Sequence, residues 1–451
     1  MGIREKSYDD GPARAERRDA AVRAAVEQGL VGADVPIAAF LDVDGIRRSA
    51  ASLISAFAAA TQAPVLHAFA VKATPLVPVL RLLREAGLGA EVASPGELAL
   101  ARAAGIGPRR TVLDSPAKTA AELREALALG IAVNADNPQE LTRIDALVRS
   151  APTTSPIGVR VNPQTGGGAI EALSTATATS KFGVALRDEG ARDWLVRAYL
   201  DRPWLTRLHI HSGSQGIPLA LHTEGIRALY DLAEEINTRV GRRQIDTLDI
   251  GGGLPVNFVS EEEAPTYDDF VRELRRGVPG LFSGAYGLVT EFGRSLLAKH
   301  GTVLARVEYA KSAGGRPVAV THAGAQIAAR TVYAPDSWPL RITAYDPKGR
   351  RKTGPDVPQD VAGPACFAGD LLATGHPMPL LEQDDWAAAL DTGAYYFAHH
   401  YAYNSLPRPA VYGYAADPDG GARFALVRAA QTVEEIVAEA GGGRAGALDG
   451  F

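Results

Sequence analysis

From about residue 65 to residue 292 the chain alternates between two hydrophobic patterns. Short apolar, β-branched runs are followed by longer stretches in which apolar residues recur with helical spacing. VLHAFAVK (65–72) predicts a strand and PLVPVLRLLREAG (75–87) a helix; LGAEVAS (88–94) predicts a strand and PGELALARAAG (95–105) a helix with proline in its first turn. RRTVLDS (109–115), IAVNAD (131–136), PIGVRVN (156–162), LTRLHIH (205–211), IDTLDIG (245–251) and YGLVTEF (286–292) continue the strand series. TAAELREALALG (119–130), NPQELTRIDALV (137–148) and LHTEGIRALYDLAEEINTRV (221–240) supply helices between them. About eight strands alternating with helices suit a closed (β/α)8 barrel, and an open doubly wound sheet is the competing arrangement. No segment of 20–50 residues repeats with a preserved motif.

Beyond about residue 305 the pattern changes. LARVEYAKS (304–312), PVAVTHAG (317–324), LRITAYD (340–346) and ARFALVRAA (422–430) are strand-like runs separated by Gly, Pro and Asp turns, without regular helices between them. The expected fold class is therefore α/β: a TIM-type barrel over 43–305 and a β-rich domain over 306–451. The glycine-rich end 441–451 and the first residues are expected to be disordered.

Composition narrows the class. The chain has 451 residues, enough for a barrel of roughly 250 plus a second module. With 46% hydrophobic and 22% charged residues it suits a soluble protein with a large core. The formal net charge of -5 and the lack of a long basic run argue against a nucleic-acid partner. No apolar run approaches the roughly 20 residues of a membrane span, and the N-terminus carries no apolar signal core, so a cytoplasmic location is expected. A single cysteine, Cys366, rules out an intramolecular disulfide or a cysteine zinc cluster.

The chemically unusual residues fall at strand ends. Lys72 closes the first strand, Glu91 lies near the end of the second and Arg160 near the end of the fifth. His211 closes the sixth, Gly251, Gly252 and Gly253 follow the seventh, and Glu291 and Arg294 follow the eighth. In a barrel these ends meet on one face, where active sites lie. Each residue also has an ordinary reading. Lys72 is either a solvated lysine or, at the tip of an apolar strand, a desolvated nucleophile. The glycines are either a plain turn or bare backbone amides for a phosphate. EFGR (291–294) is either a surface ion pair or a carboxylate and a guanidinium with separate tasks. HIHSGS (209–214) sets two imidazoles on one strand face, and without further ligands at metal-site spacing no metal is expected.

AVKA (70–73), EVASPGE (91–97), SKFG (180–183), HSGS (211–214), DIGGG (249–253), EFGR (291–294), CFAGD (366–370) and DTGAY (391–395) occur in order. Together they resemble the fold-type III pyridoxal-phosphate (PLP) decarboxylases, the group of diaminopimelate, ornithine and arginine decarboxylases. The resemblance runs from about residue 35 to about residue 436. It implies a PLP-binding barrel and a C-terminal β domain to which residues 1–42 add a strand. By matching position, Lys72 resembles the Schiff-base lysine and His211 the imidazole stacked on the pyridine ring. Ser214, Gly253, Arg294 and Tyr395 resemble phosphate ligands, and Glu291 the partner of the pyridine nitrogen. Glu91 and Glu97 match two acidic positions. Cys366 resembles the cysteine that reaches the partner subunit's site and protonates the substrate carbon, which implies a head-to-tail homodimer. The reaction so implied is decarboxylation of an amino acid through an external aldimine.

The sequence departs from this family at the residues that read the substrate. Phe367 stands where diaminopimelate decarboxylases carry glutamate, and His322 where an aspartate is common. A buried ammonium without a carboxylate is costly, so lysine, ornithine and diaminopimelate become poor candidates. Arg330 is placed to face a distal carboxylate instead, and Arg160 and Asp370 complete the expected substrate residues. The substrate is then a non-standard amino acid or a derived intermediate. A racemase or lyase on the same scaffold, and a non-catalytic PLP-binding protein, are the alternatives. Retention of Cys366 and Asp370 favours decarboxylation.

Overall fold

A computed structural model describes residues 11–417 and 421–451, so part of the N-terminal segment expected to be disordered lies outside the described residues. The chain forms two compact units. One comprises Arg47–Val256 and Ala264–Leu297; the other comprises the chain up to Ile46, Asn257–Glu263 and Ala298–Phe451. The sequence placed boundaries at 42/43 and 305/306. The structure moves the second because the strand Gly301–Ala313 already belongs to the β unit.

The first unit is the barrel. Its strands are β1 (Val65–Ala70), β2 (Gly89–Val92), β3 (Thr111–Leu113), β4 (Ala132–Ala135), β5 (Ile157–Asn162), β6 (Leu205–His209), β7 (Thr247–Asp249) and β8 (Gly287–Thr290). Every neighbouring pair is parallel, and β8 pairs with β1 through Leu288↔Val65, which closes the ring. The open-sheet alternative is thereby excluded. A two-residue strand, Val184–Ala185, adds to β5 outside the ring. Parallel strands covered on both faces read as continuous apolar runs, which is why these segments lack strict alternation. Ala68, Val112, Ala132 and Val289 from four of them form one buried cluster.

Local signals set the helix starts. Ser94 accepts the amide of Glu97 ahead of Pro95–Ala103, and Thr119 and Glu122 form a reciprocal cap ahead of Ala120–Leu129. Leu80 and Leu83 on Val77–Glu85 are buried, each contributing about 1.5–3 kcal/mol relative to exposure.

The second unit is built on a nine-stranded sheet. The N-terminal strand Ile37–Asp42 lies between Gly301–Ala313, antiparallel, and Ala410–Ala416, parallel. Its inner face packs Phe40, Leu304, Tyr345, Trp386 and Tyr414 against Ala21, Val22 and Ala25 of the helix Gly11–Glu27. That helix is held by charge as well. Arg14, 1% exposed, pairs with Glu263 and Glu261, and Arg18 reaches Glu261 at 3.0 Å. Arg341 binds the same carboxylate at 2.9 Å. Three guanidiniums thus fix the segment Asn257–Glu263 in this unit. The glycine-rich end 441–451, expected to be disordered, follows the exposed helix Val433–Glu439 and carries the turn Gly442–Arg444.

Candidate active site

The carboxyl ends of the barrel strands gather Lys72, Glu91, Arg160, His211, Gly251–Gly253, Glu291 and Arg294. β1 stops at Ala70, and Lys72 sits in the single 3-10 turn Val71–Ala73 that follows. Its Nζ donates to Glu91 Oε2 at 2.7 Å, and its side chain is 45% exposed. Of the two readings open in the sequence, the amine is therefore the accessible one, and it is ion-paired. Glu91, from β2, is buried, and burial raises its pKa against the pull of Lys72.

Behind these groups lies a buried cluster of charge. Arg160 of β5 pairs with Asp114 at 2.7 Å, and Arg207 of β6 pairs with Asp249 of β7 at 3.0 Å. Between the two pairs stands His209, fully buried, with Nε2 3.2 Å from Asp114 and Nδ1 3.3 Å from Asp249. Both approaches lie off the ideal hydrogen-bond axis, so the attraction is Coulombic more than directional. Burial would lower the imidazole pKa, but Asp114, Glu291 and Asp249 outweigh it and hold it well above the ordinary value. Asp114, despite burial, is held well below its usual value by Arg160 and His209. Asp114, His209 and Glu291 bring potential metal ligands within 4.8 Å of one another. Arg160 pairs with Asp114, and the His209 ring lies between Asp114 and Glu291, so the geometry is that of an ion-pair network.

His211 differs sharply from His209 two residues earlier. Its Nδ1 accepts the backbone N–H of Gly252 at 3.2 Å. Burial and the nearby Arg160 and Lys72 charges push its pKa well below the ordinary value, so the ring is neutral, with its proton on Nε2.

The glycine run is shaped by backbone contact. A Cβ on Gly252 would lie 2.2 Å from the carbonyl oxygen of Glu291, and one on Gly253, at φ +102°, 1.8 Å from that of Gly213. The three amides are not equally available. Gly251 donates to Asp249 Oδ1 at 3.2 Å and Gly252 to His211, so both serve the protein itself. This corrects the expectation of three bare amides: only that of Gly253 has no hydrogen-bond partner among the described residues. Arg294, 4% exposed, approaches the Ser214 hydroxyl through Nε and Nη2, both at 3.4 Å. One amide, a hydroxyl and a guanidinium are the kinds of group that could hold a phosphate.

Glu291 completes the set. It is buried, its Oε1 has no hydrogen-bond partner among the described residues, and burial together with Asp249 pushes its pKa well above the carboxylate range. A buried carboxyl with an open acceptor awaits a donor, as a protonated ring nitrogen would be. The lysine, the open acceptor, the glycine cradle and the cationic site beside Ser214 all fit PLP.

The remaining expected residues belong to the β unit. Cys366 is exposed on the loop after Asp356–Ala362, its N–H donating to Asn404 Oδ1 at 2.7 Å. Phe367 stacks on Tyr333 with centroids 5.8 Å apart and meets Tyr403 edge-on at 5.4 Å. Asp370, expected among the substrate residues, is turned into the protein. It is 3% exposed and accepts the amides of Ala325 and Ala365, both at 2.6 Å, so it shapes the loop rather than reading a substrate. Arg160, likewise expected to bind substrate, is committed to Asp114 and lies over the Phe182 ring. His322 reaches Glu308 at 3.1 Å. Arg330 lies 4.1 Å above Trp338 and 5.2 Å from Tyr395, and no carboxylate pairs with it among the described residues. Tyr395 adopts φ +67°, a conformation held only under constraint in a residue with a side chain.

A (β/α)8 barrel with a lysine, an open buried carboxyl and an anion cradle on one face defines the class: a PLP enzyme. Residues 44–298 match the family described as "Pyridoxal-dependent decarboxylase, pyridoxal binding domain", and the chain belongs to that family. It is 32% identical over 377 residues to a diaminopimelate decarboxylase of Pseudomonas aeruginosa, covering 83% of this chain and 86% of that one. The diaminopimelate decarboxylase of Aquifex aeolicus is 30% identical over 344 residues, covering 76% and 79%. The crystal structure of diaminopimelate decarboxylase from Helicobacter pylori complexed with L-lysine shares the fold at a TM-score of 0.78 and 24% identity, over 90% of this chain and 97% of that one. The protein is a PLP-dependent amino-acid decarboxylase. Among the described residues no helix is long and apolar enough to cross a membrane.

Proposed function

We propose that this decarboxylase holds PLP through Lys72, with Ser214, Gly253, Arg294 and Tyr395 on the phosphate, and acts on an amino acid whose far end bears a carboxylate and no ammonium. When bound, PLP supplies an electron sink for the pair left behind by departing carbon dioxide. The chain's own groups do the rest. Glu91, 2.7 Å from the Lys72 amine, would hold that amine's proton whenever the amine is free of the cofactor. Neutral His211, fixed by the Gly252 amide, presents a flat apolar face to the ring without adding charge. Glu291 accepts the ring N–H through its open oxygen. Cys366, on an exposed loop, delivers the final proton to the substrate carbon of a partner subunit in a head-to-tail homodimer. We place the protein in the cytoplasm, on its composition and its single cysteine.

The observation that carries the substrate reading is the contrast within the β unit. Arg330 is a guanidinium with no carboxylate partner among the described residues, framed by Trp338, Tyr395 and Tyr396. Phe367, where an acid is expected, is packed among Tyr333 and Tyr403. A cation without a counter-charge favours an anionic group, and an aromatic ring recovers only about 0.5–2 kcal/mol from an ammonium. A second reading, meso-diaminopimelate itself, draws on the relatives' names and on the carboxylate at that molecule's far end. Carbon dioxide release across a panel decides. Amino acids with a distal carboxylate but no distal amine are expected to be turned over. Lysine, ornithine and meso-diaminopimelate are expected below about 10⁴ M⁻¹s⁻¹ in kcat/KM. Efficient turnover of any of the three overturns the substrate reading.

A further inference from the structure

His209 is given no part in the chemistry above, yet it occupies the centre of the buried charge cluster. Its ring is the cation nearest to Glu291, with Nε2 4.0 Å from Oε2. Every charged group facing it comes from another barrel strand or from its own: Asp114 after β3, Arg160 on β5, Arg207 on β6, Asp249 on β7 and Glu291 after β8. Asn134 on β4 adds a neutral hydrogen bond to Asp249 at 3.3 Å. Asp114 and Asp249 each have an arginine of their own, Arg160 and Arg207. Glu291 has none among the described residues. Among these groups the imidazole is therefore the one cation placed to offset the charge that Glu291 takes on when it ionises.

We propose that His209, as a buried imidazolium, is the positioning residue that sets how readily Glu291 carries negative charge, and through it how firmly the cofactor ring nitrogen holds its proton. Without that cation an ionised Glu291 would face Asp249, Asp114 and Glu91 with no positive charge to oppose them. The added proton goes to Glu291, since the two aspartates retain their arginines. Among the neighbours acting on Glu291, Asp249, Glu91 and Asp114 all disfavour its ionised form, as does burial, and His209 opposes them. The inference rests on the assignment of Glu291 to the ring nitrogen. Measurements on the full chain stripped of cofactor separate the two, because they read the His209–Glu291 coupling with no ring present.

Ring-nitrogen NMR of the unsubstituted, cofactor-free chain should show His209 as an imidazolium at neutral pH; a neutral His209 overturns the proposal. Carboxyl-carbon NMR should show Glu291 titrating at least about one pH unit higher in His209→Gln, a tenfold rise in proton affinity. In Asp249→Asn, which removes a like charge, it should titrate lower than in the parent. A purely structural role would not move the two variants in opposite directions. An unchanged Glu291 titration in His209→Gln refutes the idea. With PLP bound, kcat in His209→Gln should fall at least about tenfold with KM little changed, and the loss should not add to that of Glu291→Gln. If the coupling is found without PLP but these losses are additive, the assignment of Glu291 to the ring fails while the coupling stands. Should His209→Gln not fold, the ring-nitrogen measurement on the parent still decides.

Discussion

Replacing Gly253 by alanine tests the anion cradle with a single methyl group. The new Cβ would stand 1.8 Å from the carbonyl oxygen of Gly213 and 2.9 Å from the His222 ring. The first contact is with backbone, which cannot rotate away as a flexible side chain could, so one of the two loops must retreat by more than an ångström. The φ of +102° adds strain, since a side chain rarely adopts it. Overpacking of this kind costs about 1–3 kcal/mol, which corresponds to a loss of about 5- to 150-fold in cofactor affinity if the displaced loop is the one that holds phosphate. The assay is titration of the cofactor-free protein with PLP, followed by visible absorbance, with thermal unfolding alongside. Gly241→Ala is the control. Gly241 ends the helix Leu219–Val240 at φ +74° with open space where its Cβ would go, so it carries the strain without the collision. It should lower stability slightly and leave PLP binding alone. If Gly253→Ala binds PLP within twofold of the parent while losing stability, the loop does not contact phosphate and the cradle assignment is wrong.

Lys72→Ala should remove the visible absorbance of lysine-bound PLP; absorbance that persists and that borohydride fixes to another lysine would displace Lys72 from its role. Arg294→Ala should weaken PLP retention more than Tyr395→Phe, because a charge-assisted bond contributes about 1.5–3 kcal/mol against about 1 for a neutral one; equal affinities by equilibrium dialysis would contradict this. Glu261 is held at a pKa of about 2, as Arg341, Arg18 and Arg14 outweigh the effect of burial. A depressed carboxyl stabilises the fold above its unfolded pKa and ceases to do so as pH falls through the folded one. Glu261→Gln should therefore cost on the order of 2–3 kcal/mol in denaturant unfolding at pH 7, and the gap to the parent should close between about pH 4.5 and pH 2. A gap that does not narrow as pH falls would rule out the ion pairs as its source.

The barrel was legible because period and length agree. Eight apolar runs with helices between them leave few arrangements, and the predicted runs overlap β1 to β8 one for one. The site residues were legible where they fall at strand ends. Asp114 and Asp249 were not, since Asp114 is a common residue type outside any motif and Asp249 heads DIGGG, where the glycines carry the reading. The pairing that gives them meaning, through His209, spans strands far apart in sequence. A repeated carboxylate at the ends of the third and seventh strands, LD in both cases, was the available signal. The helix Gly11–Glu27 was missed for a different reason. Its inward face carries Arg14 and Arg18, so the apolar stripe that marks a packed helix is broken by guanidiniums whose partners lie more than two hundred residues away. The distribution of amides in the glycine run is likewise invisible to sequence, since it depends on the tautomer and position of His211.

The passage of the chain between its two units has a consequence for how the protein is made. The strand Ile37–Asp42 emerges from the ribosome early, but its neighbours, Gly301–Ala313 and Ala410–Ala416, emerge roughly 260 and 370 residues later, a wait of tens of seconds or more at about 5–20 residues per second. The barrel segments can meet in the meantime, while an apolar strand remains without a mate. Contacts of such long sequence separation slow folding and leave unpaired edges open to the wrong chain. Expression yield should therefore respond to chaperone supply and to translation speed more than to changes in the barrel core. A barrel excised for separate study needs a new linker in place of Asn257–Glu263, because that segment is part of the other unit.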